Sequence, residues 1–164
     1  MAGGLSFDRI LVLFFAVHLL FPAIFAAKFN YCDKRGNYAV KVAALEVSPD
    51  PVKSGKPATF TVSASTDKVL SGGKFGVEVS LFGMHIHSEA HDLCEVTSCP
   101  VVPGKFSLAH SQSLPPFTPP GSYSVKILLK DNKNRQLTCI NFKLKIVFGD
   151  GESAISEESL VAES

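Results

Sequence analysis

Hydrophobic and polar residues alternate along most of this chain, with a period of two residues rather than 3.6. The alternating apolar positions are Val40, Val42 and Val47; Phe60, Val62 and Ala64; Phe75, Val77, Val79 and Leu81; Tyr123, Val125, Ile127 and Leu129; and Ile140, Phe142, Leu144, Ile146 and Phe148. Such alternation is typical of β-strands that have one buried face and one face in water. We therefore predict strands over these segments.

Turn-forming residues separate the predicted strands. Gly72-Gly73, the proline-rich residues 114–121 and the polar residues 131–134 each indicate a chain reversal. No segment of useful length has apolar residues at helical spacing, and the sequence has no internal repeat. Six to eight short strands with regular turns predict an all-β fold, an antiparallel β-sandwich.

The alternation changes phase near the middle of the chain. Apolar residues occupy odd positions in the third predicted strand, but even positions at Met84 and Ile86. A β-bulge near residues 82–83 explains this change, because a slip of one residue exchanges the two faces of a strand. Met84 and Ile86 would then point inward, and His85 and His87 would point outward. An ordinary strand end at the same place is the alternative.

Residues 1–27 are predicted to be a secretory signal peptide. Residues 10–25 are almost entirely apolar, and small residues follow them. This run is short for a membrane span and has the position of a signal's apolar core, with an N-terminal anchor as the alternative. The chain of 164 residues then leaves one domain, residues 28–149, followed by a tail, residues 150–164.

Charge is distributed unevenly along the chain. Residues 28–149 hold fifteen Lys and Arg against nine Asp and Glu, whereas residues 150–164 hold five acids and no Lys or Arg. A basic domain behind a secretory signal predicts an anionic membrane surface, and not nucleic acid, as a partner. Solvated strand faces are the alternative explanation for the lysines. The acidic tail is predicted to be disordered.

All four cysteines lie in the predicted domain. An even number of cysteines in a secreted chain predicts two disulfides, and four cysteines allow three pairings. The spacing of Cys94 and Cys99 suits a local loop, and Cys32 and Cys139 would then join the N-terminus to the last strand. The absence of a CxxC pair argues against a metal site on these cysteines.

The histidines form the pattern H-x-H-x3-H at His85, His87 and His91. Together with Glu89 or Asp92, such a set could bind zinc or copper. Because histidines at a surface loop are commoner than metal sites, we predict no metal and no cofactor. A role in pH sensing stays open, since histidine changes charge between about pH 5 and 8.

Signatures of catalysis are missing from the sequence. It has no GxSxG motif, no HExxH motif, no glycine-rich phosphate loop and, once two disulfides form, no free cysteine. We therefore predict that the protein is not an enzyme.

Several stretches resemble the ML (lipid-recognition) domain family. They are Tyr31-Cys32-Asp33, residues 40–51, Gly83-Met84-His85-Ile86-His87, Cys94 with Cys99-Pro100, and residues 131–139. The similarity covers nearly all of residues 28–149. This family includes the sterol-transfer protein of Niemann–Pick disease type C and the fungal phosphatidylglycerol/phosphatidylinositol transfer proteins. The H-I-H-S-E sequence ahead of the cysteine pair most resembles plant secretory members.

The resemblance implies an immunoglobulin-like sandwich with a lipid cavity between its two sheets, and disulfides Cys32–Cys139 and Cys94–Cys99. It also implies a protein that binds and transfers a sterol or phospholipid. We expect a monomer in the secretory pathway that is either secreted or delivered to a vacuole. A lipid-sensing co-receptor or defence-signalling module is the alternative function. Where the sterol-transfer protein has an aromatic pocket wall, this chain has Ile86, which argues against strict sterol specificity.

The inward-facing apolar residues are the candidates for contact with a lipid. They are Phe60, Val62, Phe75, Val77, Val79, Leu81, Met84, Ile86, Phe106, Leu108, Leu114, Phe117, Tyr123, Val125, Ile127, Phe142, Leu144 and Ile146. The strongest candidates, near the predicted mouth, are Met84, Ile86, Leu114 and Phe117. With thirteen phenylalanines and no tryptophan, the predicted interior is apolar and suits a lipid better than a sugar or nucleotide. The proline-rich loop would form a stiff rim.

Overall fold

The computed structural model describes residues 26–149, which form nine strands and one helical turn. In chain order the elements are β1 (Phe29–Tyr31), β2 (Val40–Ser48), β3 (Val52–Lys53), β4 (Pro57–Thr66), β5 (Gly73–Leu81), β6 (Met84–Asp92), α1 (Leu93–Val96), β7 (Gly104–Ser113), β8 (Gly121–Asp131) and β9 (Gln136–Val147). The acidic tail and nearly all of the predicted signal peptide lie outside the described residues. The predicted domain boundaries therefore stay predictions. No helix among residues 26–149 is long and apolar enough to cross a membrane.

The strands form two sheets. The larger sheet has the order β1-β9-β8-β5-β6, and the short β3 pairs in parallel with the end of β9. The smaller sheet has the order β2-β4-β7. All the other strand pairs are antiparallel. The predicted all-β antiparallel sandwich is confirmed, and the five segments with clear alternation correspond to β2, β4, β5, β8 and β9.

The core lies between the facing sides of the two sheets. In the larger sheet, Val125 on β8 pairs with Phe142 on β9, and both side chains are buried. In the smaller sheet, Val62 on β4 pairs with Leu108 on β7, and both are buried as well. Burial of a side chain of this size contributes about 1.5–3 kcal/mol, so these facing rows hold the sandwich together.

Apolar alternation marks the edge strands β6 and β7 only at their beginnings. Each is the last strand of its sheet, on the same side of the sandwich. The interior-facing positions towards the middle of β6 and the end of β7 carry polar residues, among them Glu89, His91 and His110. Because a strand is predicted from apolar residues at every second position, periodicity marks only the first part of each of these two strands.

Residues 82–83 form a two-residue turn between β5 and β6, so the predicted bulge at this place is wrong and the alternative, a strand end, is correct. Phe82 and Gly83 have φ angles of 51° and 81°. Positive φ at both central residues is the conformation of a type I′ turn, whose twist matches that of the two strands it joins. The change of phase in the sequence therefore reflects a reversal of the chain.

A bulge does occur, but it lies on β6. Val79 pairs with His87 and Ser80 pairs with His85, so Ile86 is an extra residue. Directly paired residues share a face of the sheet, and His87 therefore lies on the inner face with Val79, where it lines the cavity with its side chain 54% exposed. The prediction that His87 faces outward is wrong, whereas His85 is exposed and does face outward.

Both predicted disulfides are present. Cys32–Cys139 joins the segment before β2 to β9, across a sequence separation of 107 residues. Cys94–Cys99 closes the loop after α1, with a separation of 5 residues. Disulfides persist in oxidising compartments, so this pair of bridges fits a protein that passes through the secretory pathway.

Candidate functional site

A cavity of about 420 Å³ opens between the two sheets at one end of the sandwich. It lies where β5, β8 and β9 of the larger sheet face β4 and β7 of the smaller one. Twelve of the predicted contact residues line it: Phe60, Phe75, Val77, Val79, Ile86, Leu114, Phe117, Tyr123, Val125, Ile127, Leu144 and Ile146. The alternation in the sequence thus identifies most of the apolar wall.

The remaining six predicted residues are outside the cavity wall. They are Val62, Leu81, Met84, Phe106, Leu108 and Phe142. Five of them belong to the core or pack against it, where the sheets contact each other. Phe142, for example, packs against Phe60 of the facing sheet, with ring centroids 6.3 Å apart. Met84 is 65% exposed on the hairpin that connects β5 and β6.

The proline-rich loop between β7 and β8 forms one side of the cavity mouth. Pro115, Thr118 and Pro119 line the cavity, although only the apolar Leu114 and Phe117 of this loop are predicted contacts. The Tyr123 hydroxyl donates a hydrogen bond to the Pro119 carbonyl oxygen over 2.7 Å. Burial raises the pKa of Tyr123, which keeps this hydroxyl protonated and able to donate. The loop is therefore held against the wall.

A polar patch interrupts the apolar wall on the side where β6 and β7 lie. It consists of His87 and Glu89 from β6, and His110 and Gln112 from β7. His110 Nε2 and Glu89 Oε1 lie 3.0 Å apart, at hydrogen-bond distance, and join the two sheets. Sequence reasoning missed this patch because it looked for apolar residues. The β7 part of the patch has a signal in the sequence, because the period of two that begins at Phe106 and Leu108 continues through His110 and Gln112.

Exposed apolar residues surround the cavity mouth. Phe82 at the tip of the β5–β6 hairpin is 86% exposed, and Phe117 in the proline-rich loop is 85% exposed. Ile86 and Phe117 both line the cavity, and Ile86 is 50% exposed. Large apolar side chains on two separate loops at the end of the sandwich where the cavity opens make this end the candidate contact surface.

The opposite end of the sandwich holds a polar depression, of about 330 Å³, along the turn after β8. Asp131 accepts backbone hydrogen bonds there from Lys133 and Arg135, each over 2.9 Å. The hydrogen bond from the Arg135 backbone N–H is the main cause of a lowered Asp131 pKa. These bonds order the turn, so we assign this carboxylate a structural role.

Comparison with known proteins decides the family. Residues 26–146 match the family model of the ML domain. The chain belongs to the ML domain family. A protein of Dictyostelium discoideum named as a phosphatidylglycerol/phosphatidylinositol transfer protein is 34% identical over 118 residues, which cover 70% of this chain and 81% of that protein.

Another ML relative is the MD-2-related lipid-recognition protein ROSY1 of Arabidopsis thaliana. It is 32% identical over 151 residues, which cover 87% of this chain and 92% of ROSY1. The crystal structure of a Niemann-Pick type C2 protein from the Japanese carpenter ant superposes with a TM-score of 0.59 at 14% identity, over 73% of this chain and 99% of that one. This ML domain and the ant protein therefore share the immunoglobulin-like sandwich fold.

Proposed function

We propose that this ML domain is a carrier that takes one lipid, a sterol or a phospholipid, into the cavity between its sheets and delivers it to another membrane. The observation that carries the proposal is the largely apolar cavity, open at one end and bordered by exposed apolar side chains. A cavity of about 420 Å³ lies within the usual range for small-molecule sites, about 300–1,000 Å³. The names of its relatives support the same class of ligand.

The apolar wall of the cavity can bind a lipid by burial of apolar surface alone. Apolar area removed from water contributes about 25 cal/mol per Å², so a lipid tail that contacts Phe75, Val125 and Ile127 would be held by burial alone. Gln112 of the polar patch offers hydrogen bonds to a head group, and we propose that it orients the ligand. We propose that the protein is a monomer without enzymatic activity, and that it acts after secretion or in a vacuole.

Membrane docking would use the rim of the cavity. Phe82 and Phe117 project from two loops at the mouth, where they can enter the interface of a bilayer. Lys56 is exposed and lies next to the proline-rich loop, where its carbonyl oxygen accepts a hydrogen bond from Leu114 N–H over 3.2 Å. A lysine at this position would add about 1 kcal/mol of electrostatic attraction to a membrane that contains anionic lipids. The cavity would then open directly onto the membrane.

The direct test is native mass spectrometry with lipid extraction on the protein secreted by a eukaryotic host. We expect close to one sterol or phospholipid per chain, and the mass identifies which of the two it is. A transfer assay between two vesicle populations separates a carrier from the alternative co-receptor, because a co-receptor would bind lipid without moving it. If no lipid co-purifies and none is taken up from vesicles, the carrier function is refuted.

Phe82→Asn should weaken docking while keeping the fold. Asn-Gly is a favoured pair for a type I′ turn, so the variant should unfold at the same urea concentration as the wild type or a higher one. Loss of a phenylalanine that enters the bilayer removes about 1.5–3 kcal/mol, which corresponds to at least about tenfold weaker association with vesicles. Co-sedimentation with phosphatidylcholine/phosphatidylserine vesicles measures the effect.

Val102→Asn is the matched control for this prediction. Val102 is 65% exposed, but it lies at the opposite end of the sandwich, next to the Leu70–Val101 bridge. Its replacement should leave vesicle association unchanged. Equal binding by the Phe82 variant and the wild type, or an equal loss in the Val102 variant, would show that the rim is not the docking surface.

A further inference from the structure

The edge strands β6 and β7 bring three potential metal ligands together. Glu89 and His91 lie on β6 of the larger sheet, and His110 lies on β7 of the smaller one. One ligand atom from each side chain lies within 4.8 Å of the other two. Their side chains are 18%, 30% and 11% exposed, so the cluster is partly shielded from water.

The distances are close to those of a tetrahedral site. His110 Nε2 lies 3.0 Å from Glu89 Oε1, and His91 Nε2 lies 3.6 Å from Glu89 Oε2. Two ligands at 2.0–2.2 Å from a zinc ion are separated by about 3.3 Å in a tetrahedron. Small side-chain rotations would therefore place all three ligand atoms around one ion.

The orientation of the His91 ring supports a ligand role. Its Nδ1 atom lies 3.7 Å from Glu95 Oε2 on α1, and its Nε2 atom points into the cluster. Among the described residues, this buried Nε2 atom has no hydrogen-bond partner. Metal-bound histidines commonly present their second nitrogen to a carboxylate, which fixes the ring, so Glu95 would have this supporting role.

The donor set selects the type of ion. Two imidazoles and one carboxylate suit zinc, whereas calcium and magnesium prefer oxygen ligands alone. A fourth position is available on the cavity side, where His87 Nε2 lies 3.5 Å from Glu89 Oε2. A water molecule or this imidazole can complete a tetrahedron there.

We propose that Glu89, His91 and His110 bind one Zn²⁺ ion, which links the two sheets at the side of the cavity. The H-x-H-x3-H pattern contains only His91 of this set. The partner that completes it, His110, is 19 residues further along the chain and reaches the site from the opposite sheet. The ion would fix the spacing of β6 and β7 and thereby the width of the cavity on this side.

The test uses the secreted protein without a polyhistidine tag. Isothermal titration with Zn²⁺ should give one ion per chain, and Co²⁺ should give the visible absorption of a tetrahedral site. Zn²⁺ should also raise the melting temperature, because an ion bound only by the folded state stabilises it. Glu89→Gln, His91→Gln and His110→Gln should each weaken Zn²⁺ binding by at least about tenfold, since even loss of a supporting residue commonly has an effect of 10–100-fold.

His85→Gln is the matched control, because His85 is on the same strand but is exposed and faces outward. This variant should bind Zn²⁺ as the wild type does. His91→Gln keeps the test valid if the more buried His110→Gln variant does not fold. Failure of the wild type to bind Zn²⁺ at one ion per chain, or unchanged binding in the folded ligand variants, would overturn the proposal. Lipid uptake is measured separately, so loss of the metal site and loss of carrier function can be distinguished.

Discussion

Val79→Trp is expected to reduce lipid binding by at least about tenfold while the sandwich stays folded. Val79 lines the cavity and lies between its strand partners Val125 and His87. An indole at this position would project into the cavity of about 420 Å³ and occupy space that a lipid needs. Loss of about 60 Å² of buried apolar contact removes about 1.5 kcal/mol of binding free energy, which is about tenfold in affinity.

Lipid uptake from vesicles, followed by native mass spectrometry, measures this effect. Ser80→Trp is the control, because Ser80 is the next residue on β5 and points to the outer face of the sheet. It should bind lipid like the wild type. Ile86→Asp is a second variant that should also reduce lipid uptake. Ile86 lines the cavity but is half-exposed, so its replacement should not disrupt the core. Normal lipid uptake by folded Val79→Trp and Ile86→Asp variants would place the ligand outside this cavity.

The double variant Cys32→Ala/Cys139→Ala should lose about 4.7 kcal/mol of unfolding free energy. The bridge closes a loop with a sequence separation of 107 residues. In the chain-entropy description, removing a cross-link over about 100 residues restores that much freedom to the unfolded chain. Domains are commonly stable by only 5–15 kcal/mol, so this variant should be close to unfolding at ambient temperature.

Urea unfolding of the two disulfide variants, each secreted from the same host, provides the comparison. Cys94→Ala/Cys99→Ala removes a bridge with a separation of only 5 residues, for which the same relation gives about 2 kcal/mol. The variant without Cys32–Cys139 should therefore have the lower midpoint. If the variant without Cys94–Cys99 had the lower midpoint instead, the local bridge would stabilise the packing of the folded state, a contribution that loop-closure entropy does not include.

Much of the molecule could be predicted from patterns that are local in the chain. Alternation at Tyr123, Val125 and Ile127 identified a strand and its buried face, because side chains of a strand point to alternate sides. The same alternation identified nine of the twelve predicted residues that line the cavity. It could not separate them from Val62 or Phe142, which face the same interior but contact the opposite sheet.

The errors occurred where the answer depended on strand pairing. A phase change at residues 82–83 is compatible with a bulge, a strand end or a hairpin, and only the pairing of β5 with β6 shows the hairpin. A bulge at residues 82–83 would place His87 on the outer face, which is why the prediction for this side chain is wrong. The actual extra residue, Ile86, restores His87 to the inner face together with Val79.

The sequence by itself determined the all-β class, the positions of the apolar strand faces and a disulfide pairing that the structure confirms. The first two features follow from a period of two residues, which acts over a few neighbouring positions, whereas the disulfide pairing was indicated by the cysteine spacing and implied by the resemblance to the ML family. Only the tertiary structure decided where the two sheets separate to leave a cavity, and that His110 of one sheet meets Glu89 of the other at 3.0 Å. Such contacts depend on the register and packing of strands that are distant in sequence, and no local pattern encodes them.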